Sequence, residues 1–371
     1  MSFALGIIAA IAAPFLMVLG FIIWDNHWTG SAFALNMYKC TLAGLAFAVL
    51  SLVARETDEI FPRDVFTPNA VGALMLSSTV GILIGDWTWL EGMRLLGSRK
   101  VIIMDSLKPF LAVFLGRVVL GEKLQRAAFV GLVLTVVGVS LVGFEKEETG
   151  QDDEDLLPDG HVETSVLNES STLIEEKCEN KRTTERFDSY AERRRQQRLP
   201  RKEIQHGFFW SISNVLLHTF GALLTKTYGR GMTTWEINLI RFGFAGLCML
   251  LLSFFMKLRR ALSSSSTTSS GTNDAGTKAE EWYELPRIKG SSWIKVSLGV
   301  FFVSFLMPAL TNYAMFEIAL ALLLTLESIG PLYSLPLSYI LEEEKPTCRS
   351  CLGAFLAVVG IVILSFRGTI E

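Results

Sequence analysis

Asp105-Ser-Leu-Lys-Pro109 and Glu327-Ser-Ile-Gly-Pro331 show one pattern, an acid followed at once by Ser and four positions later by Pro, and they stand 222 positions apart. Each opens a longer stretch, and the two stretches, which end at Phe144 and Phe366, align without a gap. Because several features stay in one register, we interpret the stretches as copies of one duplicated unit. The further matches in this register are Glu122-Lys123 with Glu344-Lys345, Gly131 with Gly353, and Gly138 with Gly360.

The composition of the chain is typical of a membrane protein. Half of the 371 residues are hydrophobic and 25 are Phe. A helix needs roughly 20 mostly apolar residues to cross the hydrocarbon, and a spanning segment must satisfy its own backbone groups, which favours helices here. The sequence predicts an all-α polytopic membrane protein with ten transmembrane helices. They are expected at Phe3–Ile23, Ser31–Val53, Ala70–Leu95, Val101–Leu120, Ala127–Phe144, Gly207–Leu224, Trp235–Met256, Trp293–Ala314, Ile318–Leu341 and Cys351–Phe366.

The duplication extends beyond the opening stretch. Span two carries Asn36, Lys39 and Ala43-Gly44-Leu45, and span seven carries Asn238, Arg241 and Ala245-Gly246-Leu247 at the same spacing. Each unit therefore holds five spans. An odd number of spans makes the second unit enter the bilayer upside down, so the prediction is two inverted five-helix repeats, as in secondary transporters.

Two polar segments interrupt the apolar plan. Residues 145–205 are rich in charge and in Ser and Thr, and a Ser/Thr-rich insert lies at about 261–280. Segments of this composition cannot bury a core, and we expect them to be disordered. The predicted organisation is a first repeat at 1–144, a disordered loop at 145–205 and a second repeat at 206–371 that contains the insert.

These duplicated motifs resemble the drug/metabolite transporter superfamily, in its EamA-like branch. The acid-x-x-x-Pro helix, the Glu-Lys turn and the closing helix with spaced glycines carry the resemblance, and so does the stretch from Gly85-Asp86 to Gly97 in span three. The chain departs from the family pattern with Lys39, where Arg is usual, and with a strongly charged turn at Glu342–Lys345. The resemblance implies a transporter and does not specify its substrate.

Charged residues inside apolar spans are the first candidates for a solute site, because a charge in hydrocarbon costs at least about 2.5–3.5 kcal/mol at mid-helix. Lys39 and Arg241 lie within spans two and seven, each with an Asn three residues earlier on the same face, Asn36 and Asn238. We expect these cations to line a cavity and hold a solute. The alternative is that each long side chain extends to the nearer membrane surface.

Span three adds an acid beside aromatic side chains. Asp86 lies near its middle, flanked by Trp87, with Trp89 on the same face as the acid. These residues could contact a solute, and a carboxylate in apolar surroundings is a natural proton carrier. The alternative is that Asp86 pairs with Lys39 and both charges are neutralised.

The acids of the opening motif complete the predicted site. Asp105 and Glu327 stand four positions before Pro109 and Pro331, which we interpret as kink or hinge elements because proline removes a helical hydrogen bond. Lys108 is close enough to pair with Asp105, whereas Glu327 has no basic residue within a turn. Glu327 is therefore the better coupling candidate. Trp210, Asn214, Asn312 and Tyr313 are further residues that could line a cavity.

Other motifs receive structural interpretations. Glu122-Lys123 and Glu344-Lys345 are expected to cap and pair at interfacial turns, and the glycines spaced seven apart to permit close helix packing. The five cysteines are scattered, and no His cluster or nucleophile-base pair appears, so no metal, cofactor or enzyme activity is predicted. Basic residues occupy loops, so no nucleic-acid partner is expected.

The predicted function is transport of a small polar organic solute, such as a metabolite, an amino acid or a nucleotide-type solute, by alternating access around a midplane site. The expected partners are that solute, the lipid bilayer and a coupled proton or counter-solute. The alternative is a non-transporting membrane scaffold or receptor that keeps the fold. Lys and Arg near the span ends favour a cytosolic middle loop, whereas the family resemblance favours cytosolic termini, and the membrane itself is not specified.

Overall fold

A computed structural model describes residues 2–25, 27–53, 66–96, 101, 104–122, 125–152, 201–264, 281–330, 332–333 and 348–367. Throughout these ranges the regular structure is helical, which confirms the predicted all-α class. The main helices are α1 (Ser2–Asp25), α2 (Ala32–Val53), α3 (Pro68–Ser78 continuing through Thr79–Ile84 to Gly85–Leu96), α4 (Lys108–Leu115 continuing through Gly116–Leu120), α5 (Arg126–Asp152), α6 (Arg201–Tyr228), α7 (Thr234–Ser264), α8 (Gly290–Val300 continuing through Phe301–Leu306 to Met307–Glu317), α9 (Leu320–Glu327) and α10 (Cys348–Arg367).

Six of the described helices are long and apolar enough to cross a membrane, namely α1, α2, α3, α6, α7 and α8. Two shorter apolar stretches, Arg126–Leu141 in α5 and Cys351–Leu364 in α10, add to them. The predicted count of ten spans stays a prediction, since α4 and α9 are short in the described chain. Helix α5 continues to Asp152, past the predicted boundary at Phe144, and α6 begins at Arg201. Residues 153–200 and most of the predicted insert lie outside the described ranges.

Helices α3 and α8 are interrupted at equivalent positions. A π-helical segment occupies Thr79–Ile84 in α3 and Phe301–Leu306 in α8, again 222 positions apart. Pro308 follows the second segment and cannot donate to the carbonyl four residues earlier, which disturbs the helical ladder there. In α3, the carbonyl of Ile82 accepts a hydrogen bond from Asn36 Nδ2 of α2 at 3.1 Å. Such segments expose backbone groups and are frequent at functional sites.

Glycines join α5 to α10 in close antiparallel contact. A Cβ on Gly131 would lie 2.8 Å from the carbonyl oxygen of Gly360, and one on Gly138 would lie 2.5 Å from that of Gly353. The close packing predicted for these four glycines is confirmed. Because the lower-numbered glycine of α5 meets the higher-numbered glycine of α10, the two helices run in opposite directions.

The pair α2 and α7 shows the same reciprocal arrangement. A Cβ on Gly44 would lie 3.0 Å from Gly243 Cα, and one on Gly246 would lie 3.0 Å from Thr41 N. These helices also run antiparallel and cross where both backbones lack bulk. Small residues at such crossings allow the backbones to approach.

Two further helix pairs, α1 with α8 and α6 with α3, make matching contacts. A Cβ on Gly6 would meet Glu317 Cβ at 2.6 Å, and one on Gly207 would meet Leu95 Cβ at 3.1 Å. Farther along, Gly20 approaches the carbonyl of Gly299, and Gly221 approaches that of Ser77. Glu317 and Leu95, like Gly299 and Ser77, differ by 222 positions. The sequence reading did not identify this correspondence between α1 and α6, because only isolated glycines carry it.

The helices are interrupted by turns at the two proline motifs. After Asp105 the backbone turns at Ser106-Leu107 and α4 begins at Lys108, with Pro109 in its first turn, where the missing N–H has no helical role. In the second copy, α9 ends at Glu327 and the chain turns at Ser328-Ile329, while Pro331 lies outside the described residues. The residues Leu320–Leu326 of α9 are all buried, so this short helix lies inside the protein.

Candidate functional site

Lys39 of α2 and Asp86 of α3 form an ion pair. Lys39 Nζ lies 2.5 Å from Asp86 Oδ2, and the two side chains are 10% and 23% exposed. Asp86 sits in the first turn after the π-helical segment of α3, and its carboxylate accepts from Lys39 of α2. The alternative in which Lys39 extends to the membrane surface does not describe this structure, and the predicted pairing with Asp86 does.

Asp105 accepts from three donors that lie on three elements. Lys108 Nζ lies 3.0 Å from Oδ1, which confirms the predicted pairing, and Asn214 Nδ2 of α6 donates to the same oxygen at 3.0 Å. Trp89 Nε1 of α3 donates to Oδ2 at 3.1 Å. The indole ring of Trp89 also stacks on Phe21 of α1, with 5.5 Å between ring centroids. Asp105 thus connects α3, α4 and α6 at the turn that precedes α4.

Glu327 occupies the equivalent place in the second repeat and has fewer partners. Thr311 Oγ1 of α8 donates to Glu327 Oε1 at 2.6 Å. Thr311 stands 222 positions after Trp89, so the bond from the third helix of each repeat to its acid recurs with a different donor. Among the described residues, no cation lies within ion-pair distance of Glu327.

Arg241 of α7 has no ion-pair partner among the described residues. Its Nε is buried and has no hydrogen-bond partner among the described residues. Asp86 and Glu327 act on it electrostatically, yet no carboxylate in the described part of the chain lies within ion-pair distance. A buried guanidinium without an ion-pair partner is a costly arrangement inside a protein.

The asparagines that accompany these cations are bound to backbone and to each other. Asn238 Nδ2 donates to the carbonyl of Pro308 at 3.2 Å, and Asn238 Oδ1 accepts from Asn312 Nδ2 at 2.6 Å. Asn312 Oδ1 is buried without a partner in the described chain. Asn36 and Asn238 therefore anchor the disturbed segments of α3 and α8, in addition to any contact with a solute.

Trp87 is the predicted site residue that the structure does not bring to this group. It is 48% exposed and its ring lies 6.0 Å from that of Trp210. Because Trp87 and Asp86 are adjacent on a helix, they point in different directions. Lys39, Asp86, Trp89, Asp105, Arg241 and Glu327 do converge on one region between α2, α3, α4, α7 and α9.

The sequence reading missed two buried groups. His218 of α6 faces the same region, where Lys39, Lys108 and Arg241 act on it electrostatically, and its Nδ1 has no partner in the described chain.

Lys226 of α6 forms a buried ion pair with Glu122, 2.7 Å between Nζ and Oε1. Glu122 had been interpreted as an interfacial cap. A lysine near the end of an apolar helix was the available signal for Lys226, but the predicted span ended at Leu224.

The arrangement is suited to binding and to exchange of ionic partners. Opposite charges lie in one part of the protein interior, and in the described chain Arg241 and Glu327 have no ion-pair partner. The described residues hold no group of His, Cys, Asp and Glu that could bind a metal ion.

The comparisons with known proteins agree with this fold. Residues 4–144 match the model of the EamA-like transporter family. No curated protein matches the chain. Among solved structures, a chain described as "Crystal structure of protein" is 13% identical, covers 98% of each chain and gives a TM-score of 0.60, which shows a shared fold. With six long apolar helices in its described residues, the protein is an integral, multi-pass membrane protein. The resemblance inferred from the repeated motifs is confirmed over residues 4–144, where the chain is similar to the EamA-like transporter family.

Proposed function

We propose that the protein is a secondary transporter that moves a small polar organic solute by alternating access around the charged group described above. The family is a transporter family, which supports transport in general. The observation that carries the finer proposal is that, among the described residues, Arg241 and Glu327 have no ion-pair partner, whereas Lys39 and Asp86 pair with each other. A solute with a carboxylate, phosphate or carbonyl group would supply the missing acceptor for Arg241.

The helix contacts support two inverted halves. Equivalent helices of the two repeats, α2 with α7 and α5 with α10, pack antiparallel, and each contact occurs in reciprocal form. Reciprocal contacts of this kind are the signature of two-fold symmetry. An axis that reverses equivalent helices lies in the membrane plane, as alternating access by repeat motion requires.

Glu327 is the proposed coupling carboxylate. Thr311 is its hydrogen-bond partner in the described chain, and Arg241, Lys108 and Asp105 are the charged groups that act on it. A carboxylate held this loosely can accept a proton or exchange Arg241 for a group on the solute. We therefore expect Glu327→Gln to abolish the dependence of transport on a proton gradient while solute exchange persists.

The test is uptake and exchange in proteoliposomes with labelled amino acids, nucleotide-type solutes and organic cations. Arg241→Ala should weaken the apparent affinity for a transported solute by about 10- to 100-fold, because a hydrogen bond to a charged group contributes roughly 1.5–3 kcal/mol. Lys257→Ala is the matched control, since it removes a cation from an exposed ion pair. Lys257 Nζ lies 3.9 Å from Glu284 Oε1.

Two outcomes would contradict the proposal. Folded protein that neither transports nor binds any member of the panel would favour a scaffold or receptor. If transport occurs and Lys39→Ala, Asp86→Asn and Arg241→Ala all leave its rate and affinity unchanged, the solute site lies elsewhere.

A further inference from the structure

Glu122 and Lys226 form a second polar cluster, at one end of the helix bundle and apart from the proposed site. Lys226 stands near the end of α6 and Glu122 follows the end of α4. Their side chains are 6% and 11% exposed. The connection between α8 and α9, at Ile318-Ala319, lies at the same end and is buried. Three elements thus meet around one ion pair.

Both partners also bind the backbone of this connection. Lys226 Nζ donates to the carbonyl of Ile318 at 2.6 Å, and Glu122 Oε2 accepts from the N–H of Leu320, the first residue of α9, at 3.0 Å. Removal of either side chain would leave a buried charge and an unsatisfied backbone group. The cluster therefore fastens α4, α6 and the α8–α9 connection to one another.

The backbone between Gly116 and Glu122 positions the Glu122 carboxylate. Gly121 has φ of 70°, which favours glycine, and the N–H of Glu122 donates to the carbonyl of Gly116 at 3.0 Å. A Cβ on Gly116 would lie 2.8 Å from Glu122 Oε2. In the repeat register the second half has Ser338 and Glu343 in place of Gly116 and Gly121, and the first half has Asp25 in place of Lys226. The second repeat keeps the glutamate as Glu344, but the two glycines are replaced and the position equivalent to Lys226 is acidic, so the sequence does not duplicate the ion pair.

A pocket of about 450 Å³ opens beside the cluster, between the α6–α7 turn and the end of α8. Lys226, Arg230, Thr233, Tyr313 and Glu317 line it, and Asn312 reaches it from the proposed site. Asn312 also binds Asn238, which stands three residues before Arg241, so one lining residue of the pocket contacts a residue of the proposed site. Lys226 is thus a wall of the pocket and a member of the ion pair at once.

We propose that the Glu122–Lys226 ion pair is a lock that holds the solute path closed at the α6–α7 end, and that it opens whenever the path opens there. The lock rests on the proposed transport function. It belongs to one end of the molecule, because the repeat does not duplicate it. Without solute, the protein therefore favours the state that is closed at this end.

The test is thiol labelling of a buried reporter next to the lock. Ala319→Cys, in a chain whose five native cysteines are replaced, places the reporter at a residue that is 4% exposed. Glu122→Gln and Lys226→Met should each raise its labelling rate by a polar maleimide about tenfold or more, because each leaves a buried partner unsatisfied. Gly116→Ala should raise it as well, since the added methyl displaces the carboxylate while every charge remains.

Glu281→Gln is the matched control, since it breaks an exposed ion pair with Arg260 and should leave labelling unchanged. Folding is checked by gel filtration and thermal unfolding. If the two charge variants do not fold, Gly116→Ala decides. Unchanged labelling in folded variants, or an equal rise with Glu281→Gln, would overturn the lock. Labelling is measured without solute, so a parent protein that transports nothing removes the proposed function and leaves the lock standing.

Discussion

At the scale of single residues, the charges inside this protein differ in how well they are matched. Asp86 and Asp105 each have a lysine within 3.0 Å, and Glu122 has Lys226, while Arg241 has no partner in the described chain. The sequence shows which side chains are charged within apolar helices. It does not show that Asp105 binds Asn214, because that bond joins residues on two repeats whose relative placement depends on the whole bundle.

The Lys39–Asp86 pair leads to a stability prediction. Lys39→Met leaves the Asp86 carboxylate without its cation, and Lys39→Met/Asp86→Asn removes that charge as well. We expect the double variant to be more stable than Lys39→Met by about 1 kcal/mol or more, a coupling typical of residues in contact. Thermal unfolding in detergent measures this. The exposed pair Lys257–Glu284, treated in the same way, should show little coupling, and an equal coupling there would contradict the special role of the buried pair.

At the scale of elements, apolar runs predicted the positions of most helices. The predicted second span, Ser31–Val53, is observed as Ala32–Val53. The π-helical segments of α3 and α8 were not predicted, because they depend on contacts such as that of Asn36 with the Ile82 carbonyl. The turn before α4 was predicted only as a kink, since Pro109 alone does not distinguish a bend within a helix from the start of a new helix.

The α5–α10 contact leads to a packing prediction. Gly138→Ala places a methyl 2.5 Å from the Gly353 carbonyl oxygen and from Ala357 N, and we expect it to lower stability by about 1–3 kcal/mol. Gly72→Ala in α3 is the control, because nothing lies within 4 Å of its added Cβ, and it should be neutral or slightly stabilising. Both are read as shifts in the unfolding temperature. Equal shifts would show that the methyl is accommodated and that the helices are less closely packed than the structure indicates.

At the scale of the whole molecule, the proposed transport mechanism depends on how the two repeats are related. The duplicated motifs predicted two units from the sequence, and the register is visible because Gly131, Gly138 and their counterparts keep one spacing. The reciprocal contacts between α1 and α8 and between α6 and α3 could not be predicted, because few side chains besides the glycines are shared there. Nothing in the sequence specifies the solute, since recognition depends on the shape and charge of a site built from five helices.

The most direct measurement compares two equivalent positions on the two repeats. Thr67 precedes α3 and Lys289 precedes α8, both are exposed, and they stand 222 positions apart. Single cysteines at these positions, in a chain without native cysteines, are labelled with a membrane-impermeant maleimide in sealed vesicles of each orientation. Inverted repeats predict that Thr67→Cys and Lys289→Cys react from opposite faces of the membrane. Reaction of both from the same face would contradict the inverted arrangement and the transport mechanism built on it.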